Sequence, residues 1–140
     1  MGSAGTIVFV CLHGSAKSLI AAEYFRRLAR QRGVDAEAIS VGVEPDPEIP
    51  PKVVQGLLED GIDVRGRRPR PVTGAALAKA CHVVSFACDL GEMVPPGLPI
   101  ERWDDVPAVS DGFGAARDII VRRLPPLLAR WEAGPRPAAD

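Results

Sequence analysis

Cys11 stands at the end of a run of strand-forming residues, Ile7, Val8, Phe9 and Val10, and is followed by Leu12, His13, Gly14, Ser15, Ala16, Lys17 and Ser18. Each type has a use. A thiolate is a nucleophile, small residues let a backbone turn tightly with its N–H groups inward, and a lysine adds positive charge. The Ser18 hydroxyl is able to hydrogen-bond a thiolate. Together they describe a thiolate beside an anion site built from loop amides and a helix N-terminus. A thiol in that position ionises more readily than a free one. An isolated cysteine is otherwise a small buried hydrophobe, and Lys17 is otherwise a solvated first-turn lysine. The loop, the lysine and the serine favour the chemical reading.

Such a site needs a strand below it and a helix behind it, and the flanking pattern supplies both. The run 7–10 is continuously apolar, as in a strand covered on both faces. Residues 19–32 change to helical spacing: Ile20, Tyr24 and Leu28 recur every four positions, and arginines take the polar side and the helix C-terminus. Gly33 ends that helix. A second strand is predicted over 38–43. The proline-rich stretch 44–51 excludes regular structure. A helix over 52–60 follows, with Pro51 suited to its first turn, and Gly61 closes it. Residues 64–71 form a basic extended loop carrying Arg65, Arg67, Arg68 and Arg70. Thr73 is the expected N-cap of a short helix over 74–80. Strands are expected over 82–87 and 100–103, and a last helix over 115–131 that Pro125 and Pro126 must kink or divide. Alternating strands and helices predict an α/β fold: a three-layer sandwich with a four-stranded parallel sheet and helices on both faces.

The 140 residues carry a net charge of −1 and suit one domain spanning 1–140, with 134–140 a frayed tail. That charge argues for neither nucleic acid nor membrane as partner, and no stretch approaches the ~20 apolar residues of a membrane span. A cytoplasmic protein is expected. Cys11, Cys81 and Cys88 are odd in number and lack metal-ligand spacing, so neither a disulfide framework nor a metal site is expected.

The stretch VFVCLHGSAKSLIAAEYF resembles the start of the low-molecular-weight protein tyrosine phosphatases and the related thioredoxin-linked arsenate reductases. Their signature is a strand, Cys, five residues, Arg, Ser, and a helix beginning near Ala-Glu; Cys11, Ser18 and Ala22-Glu23 fit it. ISVGV, LLEDGIDVRGRRPRPVT, HVVSFACD, ERWDDVPA and FGAARDIIVRRL continue the similarity in order. The resemblance implies this family's fold, Cys11 as nucleophile, an oxyanion held on residues 12–18, a phosphorylated partner and no cofactor.

The pattern breaks at two places. Lys17 stands where the family has arginine, keeping charge but losing the bidentate fork; loss of one such donor commonly costs roughly 10²–10³ in rate. The family's Asp-Pro acid position is Val106-Pro107 here. Asp105 lies one position off and is expected to serve as a displaced acid; Asp104 lies two off. The family's loop asparagine is Gly14, a mild change for a left-handed residue. His13 replaces a small residue and is expected to be solvated. Of the reductases' two further cysteine positions, Cys88 is adjacent to the first, with its side chain expected to face the other way, and Val94 stands near the second. Three functions follow in order: an impaired phosphomonoester hydrolase, an inactive protein binding an oxyanion or phosphorylated partner, and an arsenate reductase.

Overall fold

The computed structural model describes residues 5–132; the expected tail at 134–140 lies outside them. Strands β1 (Thr6–Cys11), β2 (Glu37–Gly42), β3 (His82–Ser85) and β4 (Ile100–Arg102) form one sheet in the order β2-β1-β3-β4, every pair parallel. Helices α1 (Lys17–Gln31), α2 (Pro51–Glu59), α3 (Gly74–Lys79) and α4 (Phe113–Glu132) connect and follow them. The α/β architecture is as expected, with helices on both faces.

Alternation along β1 explains the layers. Ile7, Phe9 and Cys11 point into one apolar cluster, shared with Ile20 and Phe25 of α1, Leu57 of α2 and Ile120, Leu124 and Leu128 of α4. Val8 and Val10 point into the other, with Leu77 of α3 and Val83 of β3. Because every β1 side chain from 7 to 10 is fully buried, the strand reads as unbroken apolar sequence rather than as alternation. Its carboxyl end is held in the middle of the sheet, with β2 and β3 on either side.

Boundaries differ in instructive ways. Helix α1 begins at Lys17, two residues before the apolar spacing starts, so Lys17 and Ser18 sit in its first turn. Thr73 caps α3 as expected, its hydroxyl accepting from the Ala76 N–H at 3.0 Å. Helix α4 is not divided: it runs through Pro125 and Pro126. Two missing N–H groups cost two ladder bonds, and the burial of Leu124, Leu127 and Leu128 on either side offsets them. Strand β3 stops at Ser85 rather than Ala87, because Ala87 is left-handed, with φ +64°, and turns the chain out of the sheet.

Candidate active site

The loop after β1 is seated on the segment after β2. The carbonyls of Cys11, Leu12 and His13 accept from the N–H groups of Val43, Glu44 and Asp46 at 3.2, 2.7 and 3.1 Å. Gly14 is left-handed (φ +63°) and pressed against Gly42: a Cβ on Gly14 would lie 2.6 Å from the Gly42 nitrogen. The asparagine expected to fit here with little cost therefore does not, since its backbone angle is tolerable but its Cβ is not. With the carbonyls turned toward β2's side, no N–H of residues 12–18 has a protein acceptor among the described residues. Those donors and the α1 N-terminus make a concentrated positive field for an anion.

Beneath the loop runs a chain of hydroxyls. Cys11 Sγ lies 3.0 Å from Ser18 Oγ, and Ser18 Oγ 2.8 Å from Ser40 Oγ. Ser40 donates to the Gly14 carbonyl over a long 3.4 Å. Ser18 and Ser40 thus serve both states of the sulfur. As a thiol, Cys11 donates into the chain. As a thiolate, it accepts a hydrogen bond from the Ser18 hydroxyl, and Ser40 is free to turn its own hydrogen from Gly14 to Ser18. The serine pair is thus able to hydrogen-bond either form of the sulfur.

Cys11 opens into a cavity of about 750 Å³ that Leu12, His13, Ser15, Ala16 and Lys17 also line. Ser18 lies below it, fully buried, and Gly14 faces Gly42. The predicted nucleophile, lysine and loop are therefore brought together. Asp105 is not: both its carboxylate oxygens accept from Arg123, at 2.9 and 2.6 Å, on an exposed surface, and Arg123 holds its carboxyl below the ordinary aspartate range. Asp105 thus sits in that surface fork and does not line the cavity. Asp104 is spent on structure as well, accepting from the N–H of strained Ala87 at 2.8 Å and from Arg102. Val106, at the family's acid position, is buried in the apolar cluster with Trp103.

The cavity holds groups that sequence reasoning missed. Asp46 accepts from Ser15 Oγ at 2.8 Å and lies 3.4 Å from His13 Nδ1. His13 Nδ1 is 3.0 Å from the Glu44 carbonyl, which only accepts, so that nitrogen carries a proton. His13 is half exposed, as expected, and its ring is held at the rim by that bond. The signal for Asp46 was an acid between two prolines beside the strand that flanks Cys11. Asp89 and Cys88 line the cavity too. Cys88 escapes strand alternation because the chain has already turned at Ala87. Ser85 Oγ then pins it, donating to the Cys88 carbonyl at 2.8 Å and accepting from its N–H at 3.1 Å. Burial, and then the charge of Cys11, push the Cys88 thiol up. Cys81 is remote, its Sγ 3.3 Å from the Thr6 carbonyl at the far end of β1.

Residues 6–95 match the family model described as low molecular weight phosphotyrosine protein phosphatase. The fold is similar to that of Bacillus subtilis YfkJ, at 22% identity and a TM-score of 0.80, covering 94% of this chain and 97% of that one. It is similar to a low molecular weight phosphotyrosine phosphatase of Vibrio cholerae, at 18% identity and 0.78, covering 91% and 97%. A thioredoxin-dependent arsenate reductase of Corynebacterium glutamicum shares 24% identity at 0.77; 94% of this chain is covered, but it spans only 64% of that reductase. At these identities the structural likeness is one of fold. No described helix is long and apolar enough to cross a membrane.

Proposed function

This chain belongs to the low molecular weight phosphotyrosine protein phosphatase family, and we propose that it hydrolyses phosphomonoesters through Cys11, slowly. The observation that carries this reading is Cys11 Sγ at 3.0 Å from Ser18 Oγ under a loop whose amides are unengaged. The Cys11 thiolate attacks phosphorus, an S–P bond forms, and the ester oxygen leaves with the bonding pair and takes up a proton. Water then cleaves the thiophosphate, releasing phosphate and regenerating the thiol. The loop amides and Lys17 hold the equatorial oxygens. Asp46 with His13 is the titratable pair positioned to hand over the proton, in place of the Asp105 first expected. The nucleophile must stay a thiol, and reducing conditions such as those of the cytoplasm keep it so.

The pairing of Asp105 with Arg123 favours a second reading, a non-catalytic binder of phosphorylated partners. Turnover of an aryl phosphate separates the two. Measurable wild-type turnover, lost in Cys11→Ser and raised in Lys17→Arg by up to roughly 10², supports the hydrolase. No wild-type turnover with activity in Lys17→Arg supports the binder. Arsenate reduction ranks third: Cys88 shares the cavity, but Cys81 is too remote to extend a relay.

A further inference from the structure

The basic run at 65–70 has no part in the chemistry above, yet the fold gathers it with intent visible in its geometry. A second cavity, of about 450 Å³, reaches the same loop at Gly14 and is lined by Arg26, Arg67, Arg68 and Arg70. Four guanidiniums from two distant stretches thus converge in a chain whose net charge is −1. Among the described residues, Glu23 is the one carboxylate paired with them: its Oε2 accepts from both Arg26 and Arg67, the latter at 2.7 Å. Glu23 is itself buried, so it fixes those two side chains as a rigid floor. Among the described residues, the side chains of Arg68 and Arg70 have no hydrogen-bond or ion-pair partner. By contrast, nearby Arg65 is consumed by a bidentate pair with Asp63 and does not line the cavity. Leu19, Ile39, Ile49 and Pro69 give the cavity an apolar wall.

We propose that this cavity is a binding site for a small ligand carrying two or more adjacent phosphates. Guanidinium forks match phosphate oxygens bidentately. Four of them against a single carboxylate leave more positive charge than one phosphate neutralises. The volume lies in the range of small-molecule pockets, and a concave site of that size takes a compact ligand rather than a polymer backbone. The apolar wall accommodates a non-polar body attached to the phosphates. Ser40 also lines the cavity, two hydroxyls away from Cys11 Sγ, so the ligand sits directly behind the hydrolytic loop without entering it.

The test is a two-dimensional amide NMR titration with inorganic tripolyphosphate at physiological salt, run with orthophosphate in excess to fill the Cys11 loop. Shifts are expected at Ile39, Ser40, Arg67, Arg68 and Arg70. In the Arg68→Ala/Arg70→Ala double variant, affinity is expected to fall about tenfold for each lost charge-assisted contact. Both side chains are exposed, so the double variant is expected to fold, and its amide spectrum without ligand is the check. Shifts confined to residues 12–18, equal affinity in the double variant, or no shift at all would overturn the assignment. None of these outcomes depends on turnover, so failure here is distinguishable from failure of the hydrolase reading.

Discussion

Replacing Gly14 by alanine tests whether the anion loop is pinned to β2 by backbone contact. Two costs are involved, and the structure contains the control that separates them. Gly33 ends α1 at φ +68° with nothing within 4 Å of a Cβ built on it, whereas Gly14, at φ +63°, would place that Cβ 2.6 Å from Gly42 N and 2.9 Å from Gly42 Cα and the Val41 carbonyl carbon. Gly33→Ala therefore incurs only the left-handed cost of a Cβ, about 1–2 kcal/mol. Gly14→Ala incurs the same cost and adds overpacking against a strand that cannot rotate away, for a total of about 2–5 kcal/mol. Relief requires the loop to lift, which breaks the bonds from Val43 and Glu44 to the Cys11 and Leu12 carbonyls. Urea denaturation of both variants, with slopes compared so that midpoints report stability alone, measures the difference. A gap of at least about 1 kcal/mol, together with loss of aryl phosphate turnover in Gly14→Ala only, is the expected result. Equal destabilisation in the two variants would refute the close approach of Gly14 to Gly42.

Other expectations follow from the same geometry. Tyr24 is the single tyrosine; burial first, then its hydrogen bond to Asp60, push it up from 10.0 to about 12. The stability this represents is present below pH 10 and lost as pH rises through about 12, so alkaline titration of phenolate absorbance in the folded protein should find its midpoint near the higher value; a midpoint near 10 would contradict the burial of that hydroxyl. Asp105→Asn should leave turnover within about twofold, whereas Asp46→Asn should lower it by roughly 10² or more on substrates with poor leaving groups, the measure being paired rate assays. Alkylation followed by peptide mapping should find Cys88 slower than Cys11 near neutral pH, because burial and the neighbouring sulfur push the Cys88 thiol up; the reverse order would speak against Cys11 as the nucleophile.

Much of this was legible because local signals agreed. The apolar run at 7–10, the four-residue spacing after it and Gly33 all report elements whose shape is set within the segment, and Thr73 met its capping partner three residues on. What stayed hidden depends on contacts between distant segments. Asp46 reads as one more polar residue in a proline-rich stretch until β1–β2 pairing lays it beside Ser15. Asp105 looks available until α4 brings Arg123 across to it. Cys88 follows strand alternation only if the strand continues, and nothing local announces that Asp104 will hold Ala87 left-handed. Gly14 looks exchangeable because sequence reveals its backbone preference and not its neighbour.

The central claim is that Cys11 becomes covalently phosphorylated. Rapidly quenched mixtures of the protein and an aryl phosphate, digested and mapped by mass spectrometry, test it most directly. A phosphoryl group is expected on the peptide bearing Cys11, absent from Cys11→Ser and accumulating faster in Lys17→Arg. Turnover with the phosphoryl group on another residue, or with none on Cys11 at any quench time, would contradict it.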